Sequence, residues 1–236
     1  RPPRSTQSRS SAASDVYKRQ SLRAHKDVRE GMRTADAVAV GPGLGRDSET
    51  RELLIRVLKG YRRPVVVDAD GLNLLGLETI KEMRLQGVLT PHPGEAARLL
   101  GVDVATVQKD RLAAARALGE KTGMTAILKG YLSVVASTSR PTVLNPTGNA
   151  GLASGGTGDV LTGVIVALLA RGLEPHDAAV AAAYVHGYAG DLAAADLGER
   201  SLLAGDVVAA LPRAFKYIET GAYERDVGYE RMWTLC

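Results

Sequence analysis

The sequence predicts an α/β fold built on a mostly parallel sheet with helices on both faces. Short apolar runs of strand length alternate with helix-length segments through the middle of the chain, the pattern of strand-helix-strand crossovers. At 236 residues and 45% hydrophobic content, the chain can bury one large core, which suits a single domain better than two small ones. Aromatic residues make up only 4%, so Ala, Val and Leu must fill that core, a composition suited to helices packed closely on a sheet.

Taken in order, "DAVAVGPGLG" predicts a strand at Ala37 to Val40 running into a glycine-rich loop, with Ser48 capping the helix "ETRELLIRVLKG". "RPVVVDADG" predicts a strand at Val65 to Val67 whose end delivers Asp68 and Asp70. "GVLTPHPGE" predicts a third strand, Val88 to Thr90, before a helix that starts near Pro93, where a missing N–H costs nothing, and that stops at Gly101. Thr106 to Leu118 reads as one further helix with Leu112, Ala115 and Leu118 on one side. "TAILKG" and "LSVVAS" read as a β-hairpin turning at Gly130. After "TVLNP" come a glycine loop, a buried helix from Val160, an alanine-rich helix from about His176 to Ala195 and a last helix from Gly205 to Ala214.

The ends read differently. Eight basic residues, from Arg1 to Arg29, fall in the first thirty positions and account for much of the formal charge of +4. Without interleaved aromatics or a base-reading helix they read as a solvated or artificial tail, and no nucleic-acid partner is expected. The stretch "DVYKRQ" resembles read-through of a sequencing adapter, so residues 1–25 are expected to be a non-native or disordered tail, 26–216 the single folded domain, and 217–236 a C-terminal tail of weak periodicity. The apolar run Val160 to Ala170 is too short to span a bilayer, and the start lacks the apolar centre of a signal peptide. With a single cysteine, Cys236, these features predict a cytoplasmic protein with no internal disulfide and no membrane partner.

The candidate chemistry centres on "GGTGD", Gly155 to Asp159, directly before an apolar helix. Glycines let successive backbone N–H groups approach an anion, and the helix start adds partial positive charge, so Gly155, Gly156, Thr157 and Gly158 read as a phosphate cradle. A Walker loop would end in Gly-Lys-Ser/Thr, and a dinucleotide fingerprint would come in the first strand-turn-helix unit; neither fits. A carboxylate beside an anion site serves best by orienting or deprotonating a substrate hydroxyl that attacks a nucleotide phosphate, the role expected of Asp159, although it also reads as a helix cap, as does Thr157. Lys129 reads equally as a surface residue and as a phosphate partner. His92, held between two prolines at a strand end, is equally structural or functional. The four histidines have no metal-ligand spacing, which argues against zinc. Asp68, Asp70, Asn73 and Glu95 could offer hard oxygens to Mg2+ with a bound nucleotide, whereas Asn73 also reads as a turn residue and Glu95 as a first-turn acid.

Together and in this order, "GPGLG", "VVDADGLNLL", "TPHPGEAARLL", "LKG" and "NPTGNAGLASGGTGDVLTGVIVALLA" resemble the ADP- or ATP-dependent NAD(P)H-hydrate dehydratase family of the ribokinase-like superfamily, over about residues 30 to 215. The resemblance implies a three-layer α/β/α fold and repair of reduced nicotinamide dinucleotides whose ring has been hydrated, with Mg2+ as cofactor and ADP or ATP as phosphoryl donor. It further implies that Asp159 meets the hydrate hydroxyl, that His92 and Gly43 line the hydrate pocket, and that Lys129, Gly130, Tyr131, Leu132 and Ser133 contact the adenine nucleotide. Asn149 and Gly158 would lie near its phosphates. The chemistry is coherent: a hydroxyl beside the ring nitrogen leaves poorly, but phosphoryl transfer makes it a leaving group. The nitrogen lone pair then expels phosphate, and the resulting iminium loses a proton to restore the dihydropyridine.

Family members begin with a further strand and a glycine-rich loop of the "GSxxYxGA" kind, and here the adapter-like stretch stands in that place, so the sheet is expected to lack its N-terminal strand. The resemblance also implies a homo-oligomer, and because the family also occurs fused behind an epimerase domain, the complete protein could be of the single-domain or the fused kind. Two other functions fit the same residues: a small-metabolite kinase of the hydroxyethylthiazole kinase type, and a catalytically inactive nucleotide-binding protein.

Overall fold

The computed structural model describes residues 24–220; the two tails expected at 1–25 and 217–236 fall largely, and Cys236 wholly, outside that range. A helix over 24–34 (α1) leads into strand β1, Val38–Val40, after which come α2 (Ser48–Leu58), β2 (Val65–Val67), α3 (Ala69–Met83) and β3 (Gly87–Leu89). Then follow α4 (Pro93–Leu100), α5 (Val104–Lys109), α6 (Arg111–Thr122) and the strands β4 (Thr125–Leu128), β5 (Val134–Ala136) and β6 (Val143–Leu144). A 3-10 turn at Ala150–Ala153 precedes α7 (Thr157–Ala170), α8 (Pro175–Leu197) and α9 (Ala204–Thr220).

The six strands lie in sequence order. β1 to β4 pair in parallel, while β5 and β6 join antiparallel, so the expected hairpin between β4 and β5 is present. Because side chains alternate across a strand, the sheet feeds two separate cores. Val65, Val67 and Leu89 pack with α2 and α3, and Ala126, Leu128 and Val134 pack with α4 and α6. Val66, Val88, Ile127 and Val135 face the other way, onto α7 and α8. α9 closes over α8 through Val207, Ala210 and Ala214. The result is a three-layer α/β/α sandwich.

Several local expectations change. Asp47, not Ser48, caps α2: its backbone is extended and its carboxylate accepts the Thr50 N–H at 2.8 Å. The single helix expected over Thr106 to Leu118 is two, because Asp103 captures the Thr106 N–H and Asp110 the Ala113 N–H, starting a new helix at each. Leu112 is exposed and does not share the buried side of Ala115 and Leu118. α7 begins at Thr157, three residues before Val160, and α9 runs on to Thr220.

The strand ends are drawn together by glycine. At Gly41, with φ +131°, a Cβ would sit 1.7 Å from the Asp68 carbonyl oxygen, so the loop after β1 and the start of α3 touch backbone to backbone. Among the described residues no helix is long and apolar enough to cross a membrane.

Candidate active site

β2 and β4 end on either side of β3, and their last side chains meet above it. Lys129 Nζ stands 2.8 Å from Asp68 Oδ1, and Thr162 donates its hydroxyl to Asp68 Oδ2 at 2.8 Å. Asp68 is buried, at 1% exposure, whereas Lys129 keeps 21%. A Cβ added to Gly158 would lie 3.5 Å from Lys129 Nζ, so the ammonium stands over the first turn of α7. That turn begins at Gly156, in the left-handed region at φ +87°, and has no side-chain cap. Thr157 does not cap it, because its hydroxyl lies within 2.9 Å of the Leu152 and Ser154 carbonyls and is spent inside the loop. An uncapped helix start, a glycine beside it and a fixed ammonium above it are groups of the kind that can hold an anion.

Lys129 and the first turn of α7 line a cleft of about 850 Å³. Its walls include His92, the segment Lys129 to Ser133, the segment Asn145 to Ala150, Thr157 and Gly158. In the first wall, Gly130 has φ +140° and Leu132 φ +50°, a tight loop in which the Ser133 hydroxyl donates to the Gly130 carbonyl at 3.0 Å. Arg111 holds this loop from behind, donating to the Leu128 carbonyl at 3.1 Å and to the Tyr131 carbonyl. Burial lowers the Arg111 pKa from its usual value. In the second wall, Asn149 is engaged on both sides: its Oδ1 accepts the Gly151 N–H and its Nδ2 donates to Asp191, each at 2.9 Å.

Behind the loop, His186 on α8 is buried and its Nε2 donates to the Thr157 carbonyl at 2.9 Å, which requires the Nε2–H tautomer. Burial holds its pKa down to about 4, reinforced by the Lys129 charge and opposed by the Thr157 bond. Arg111, His186 and Asp191 carry the walls of the site, and no local motif announces any of them.

Of the other expected site residues, Asp159, Gly155, Gly156 and Gly43 are not part of the cleft lining, whereas His92 is. Asp159 is exposed on the first turn of α7, turned about 100° around the helix from Gly158. Gly155 and Gly156 are exposed ahead of it, and Gly43, at φ +69°, is exposed in the loop after β1. His92 borders the cleft and also caps α4: its Nδ1 accepts the Gly94 N–H at 3.0 Å while Glu95 accepts the His92 N–H at 2.8 Å.

Asp68, Asp70 and Glu95, the candidates for Mg2+, do not converge. Asp68 is taken by Lys129 and Thr162, and Glu95 by the α4 capping box. Asp70 pairs with Arg46 at 2.7 Å and accepts the Gly45 N–H, and the Arg46 bond holds its carboxyl below the usual range. Asn73 lies inside α3, between the Ala69 carbonyl and Arg98. Among the described residues no group of three or more His, Cys, Asp or Glu could hold a metal ion. The side chains therefore do not fit a protein-built metal cage.

A sequence profile of NAD(P)H-hydrate dehydratase matches residues 6–213. The chain belongs to the NAD(P)H-hydrate dehydratase family. It is 47% identical over 184 residues to the bifunctional NAD(P)H-hydrate repair enzyme of Escherichia coli K12, covering 78% of this chain and 35% of that one. It is 44% identical over 181 residues to the ADP-dependent (S)-NAD(P)H-hydrate dehydratase of Neisseria meningitidis serogroup B, covering 74% of this chain and 61% of that one. The chain thus spans between about a third and three-fifths of these relatives. Among solved structures, the ADP/ATP-dependent NAD(P)H-hydrate dehydratase of Bacillus subtilis, co-crystallized with ATP/Mg2+, superposes with a TM-score of 0.70 at 34% identity, covering 80% of this chain and 69% of that one. The three-layer sandwich is therefore the ribokinase-like architecture that the motifs imply.

Proposed function

We propose that this chain dehydrates NADH or NADPH hydrate at the expense of ADP, restoring the dihydronicotinamide and releasing AMP and phosphate. The observation that carries the reading is Lys129 Nζ standing over the uncapped, glycine-rich first turn of α7 at the mouth of the cleft. The cleft takes the adenine nucleotide, with Lys129 to Ser133 along one wall and Asn149 with Gly155 to Gly158 around the phosphates. Asp159, one residue on and exposed outside the cleft lining, meets the hydrate hydroxyl as base or orienting group, with Gly43 and His92 on the hydrate side. The backbone N–H groups and Lys129 then neutralise charge on the phosphoryl group as it moves to that hydroxyl. Mg2+, brought with the nucleotide rather than held by a cage of side chains, would supply charge neutralisation at the phosphates beside Lys129 and the first turn of α7.

The catalytic unit of this reading is 26–216, with tails at 1–25 and 217–236. It acts in the cytoplasm as a homo-oligomer without nucleic-acid or membrane partners. Similarity to enzymes that are bifunctional or monofunctional in NAD(P)H-hydrate repair supports the assignment.

The test mixes the chain with NADH hydrate and Mg2+, adds ADP or ATP in parallel, and follows dihydronicotinamide absorbance together with AMP or ADP release. Nucleotide-dependent recovery of absorbance is expected, greater with ADP. A phosphorylated product that accumulates would replace this reading with a small-metabolite kinase.

A further inference from the structure

We propose that Asp191 is a positioning residue for the nucleotide phosphates, acting through Asn149. The inference rests on the reading that the cleft binds a nucleotide.

One side of α8 is shaped to the loop that runs from Asn145 to the start of α7. The Ala183 carbonyl accepts Asn145 Nδ2 at 3.1 Å, and the Tyr184 carbonyl accepts the Thr147 hydroxyl at 2.9 Å. One turn on, the helix carries Gly187, where a Cβ would stand 2.2 Å from Thr147 Oγ1, and then Gly190, where one would stand 2.7 Å from the Leu152 side chain. Helical spacing of three and four places these positions on the same face as Asp191. Two absent side chains let the loop lie against the helix backbone, and the carboxylate at the end of the row fastens it.

Asp191 uses both oxygens on adjacent residues of the loop. Oδ2 accepts the Gly148 N–H at 2.9 Å and Oδ1 accepts Asn149 Nδ2 at 2.9 Å. Asn149 then passes the constraint forward, since its Oδ1 accepts the Gly151 N–H and so caps the 3-10 turn that leads to Gly156. Hydrogen bonds to a charged acceptor are stronger than neutral ones, and two on neighbouring residues fix orientation as well as distance. Gly148, at φ +101°, lies in the left-handed region that only glycine enters readily, so the loop is costly to order. A loop ordered in advance spares the ligand that cost. Asp191 itself is half-buried on α8 and is absent from the cleft lining, whereas Gly148 and Asn149 form part of it. Its negative charge is thus spent on the far side of the loop from the anion.

A helix-loop fastener that served stability alone would leave every ligand of the cleft equally affected, whereas one that shapes the phosphate end would spare a ligand without phosphate. Calorimetric titration of the full chain with ADP and with adenosine, in Mg2+ and without hydrate, separates the two. Asp191→Asn is expected to weaken ADP about tenfold while adenosine changes less than about twofold, because the amide presents a donor where the loop needs an acceptor. Asn149→Ala, which leaves α8 untouched, is expected to give the same ADP-selective loss. The double variant should lose little more than either single one, because both break the same link. Equal weakening of ADP and adenosine, an unchanged ADP affinity, or additive losses in the double variant would each overturn the role of Asp191. A parent chain that binds ADP no more tightly than adenosine would bring down the nucleotide reading, and this role with it.

Discussion

Lys129 Nζ and Asp68 Oδ1 lie 2.8 Å apart across the end of β3, joining the ends of β2 and β4 through a carboxylate that water does not reach. A buried ion is tolerated when its charge is matched and its remaining lone pairs are bonded, and Thr162 supplies the second bond. Removing only the cation leaves that carboxylate uncompensated. Lys129→Ala is therefore expected to destabilise the fold by about 3 kcal/mol, the low end for a broken buried pair because Lys129 is partly exposed. Adding Asp68→Asn in that background should restore at least about 1 kcal/mol by removing the stranded charge. Urea melts of the parent, the single variant and the double variant check both figures. A double variant less stable than Lys129→Ala would show that Asp68 matters through something other than the pair.

Asp159 is the one carboxylate on the first turn of α7, exposed and outside the cleft lining, so its loss should leave the nucleotide where it is. Asp159→Asn is expected to lower kcat by about 10²–10⁴, the range for a lost general base, while the ADP affinity stays within about threefold. Single-turnover kinetics with NADH hydrate, alongside ADP titration, separate the two effects. A large loss of ADP affinity would instead make Asp159 part of the nucleotide site.

The contrast between these two carboxylates shows what a sequence can disclose. "GGTGD" before an apolar run shows that a helix begins beside a lone acid, because glycine content and helix polarity are local properties, although α7 starts at Thr157, inside the motif, rather than at Val160. The strand Val65–Val67 was equally legible, since three consecutive valines buried on both faces need no distant partner to explain them. Asp68 was visible as a carboxylate at a strand end but read as a metal ligand, because its partner Lys129 lies 61 residues away. Asp191 and His186 were missed for the same reason, with partners 42 and 29 residues distant in Asn149 and Thr157. Helix caps failed differently. Asp47 and Ser48 are both good cap residues, and only the backbone conformation chooses between them.

Two glycines in neighbouring helices should answer an alanine in opposite directions. At Gly187 the new Cβ would fall 2.2 Å from Thr147 Oγ1 and 2.7 Å from the Thr147 backbone, so the loop or α8 must move. Gly187→Ala is expected to destabilise by about 2–3 kcal/mol, as overpacking does in a close contact. Gly163 lies inside α7 with nothing within 4 Å of the added methyl, and Gly163→Ala should stabilise by up to about 1 kcal/mol through helix propensity. Denaturant midpoints with unchanged slope would report both. If both alanines destabilised alike, the close approach of α8 to the loop would not be what Gly187 provides.

His186 gives the fold a specific acid sensitivity. In the folded chain its pKa is held down to about 4 by burial first, with the Lys129 ammonium acting in the same direction and the Thr157 carbonyl against them, whereas the unfolded chain returns it to about 6.5. Between those values the unfolded state binds more protons than the folded one, so stability rises with pH across the window and is lost as pH falls through it. The full effect is at most about 3 kcal/mol, complete only below pH 4 and absent above pH 7. His186→Gln keeps a donor for the Thr157 carbonyl but cannot titrate. The parent and the variant should therefore differ by a constant amount above pH 7, and the balance should shift toward the variant by about 2 kcal/mol on going to pH 4.5. Urea melts at closely spaced pH values measure the difference, in which the titration of the carboxylates common to both chains cancels. Parallel stability curves from pH 7 to pH 4.5 would mean that the ring takes up its proton alike in the folded and unfolded chains, so that burial does not hold its pKa down, and that the acid sensitivity of the fold lies elsewhere.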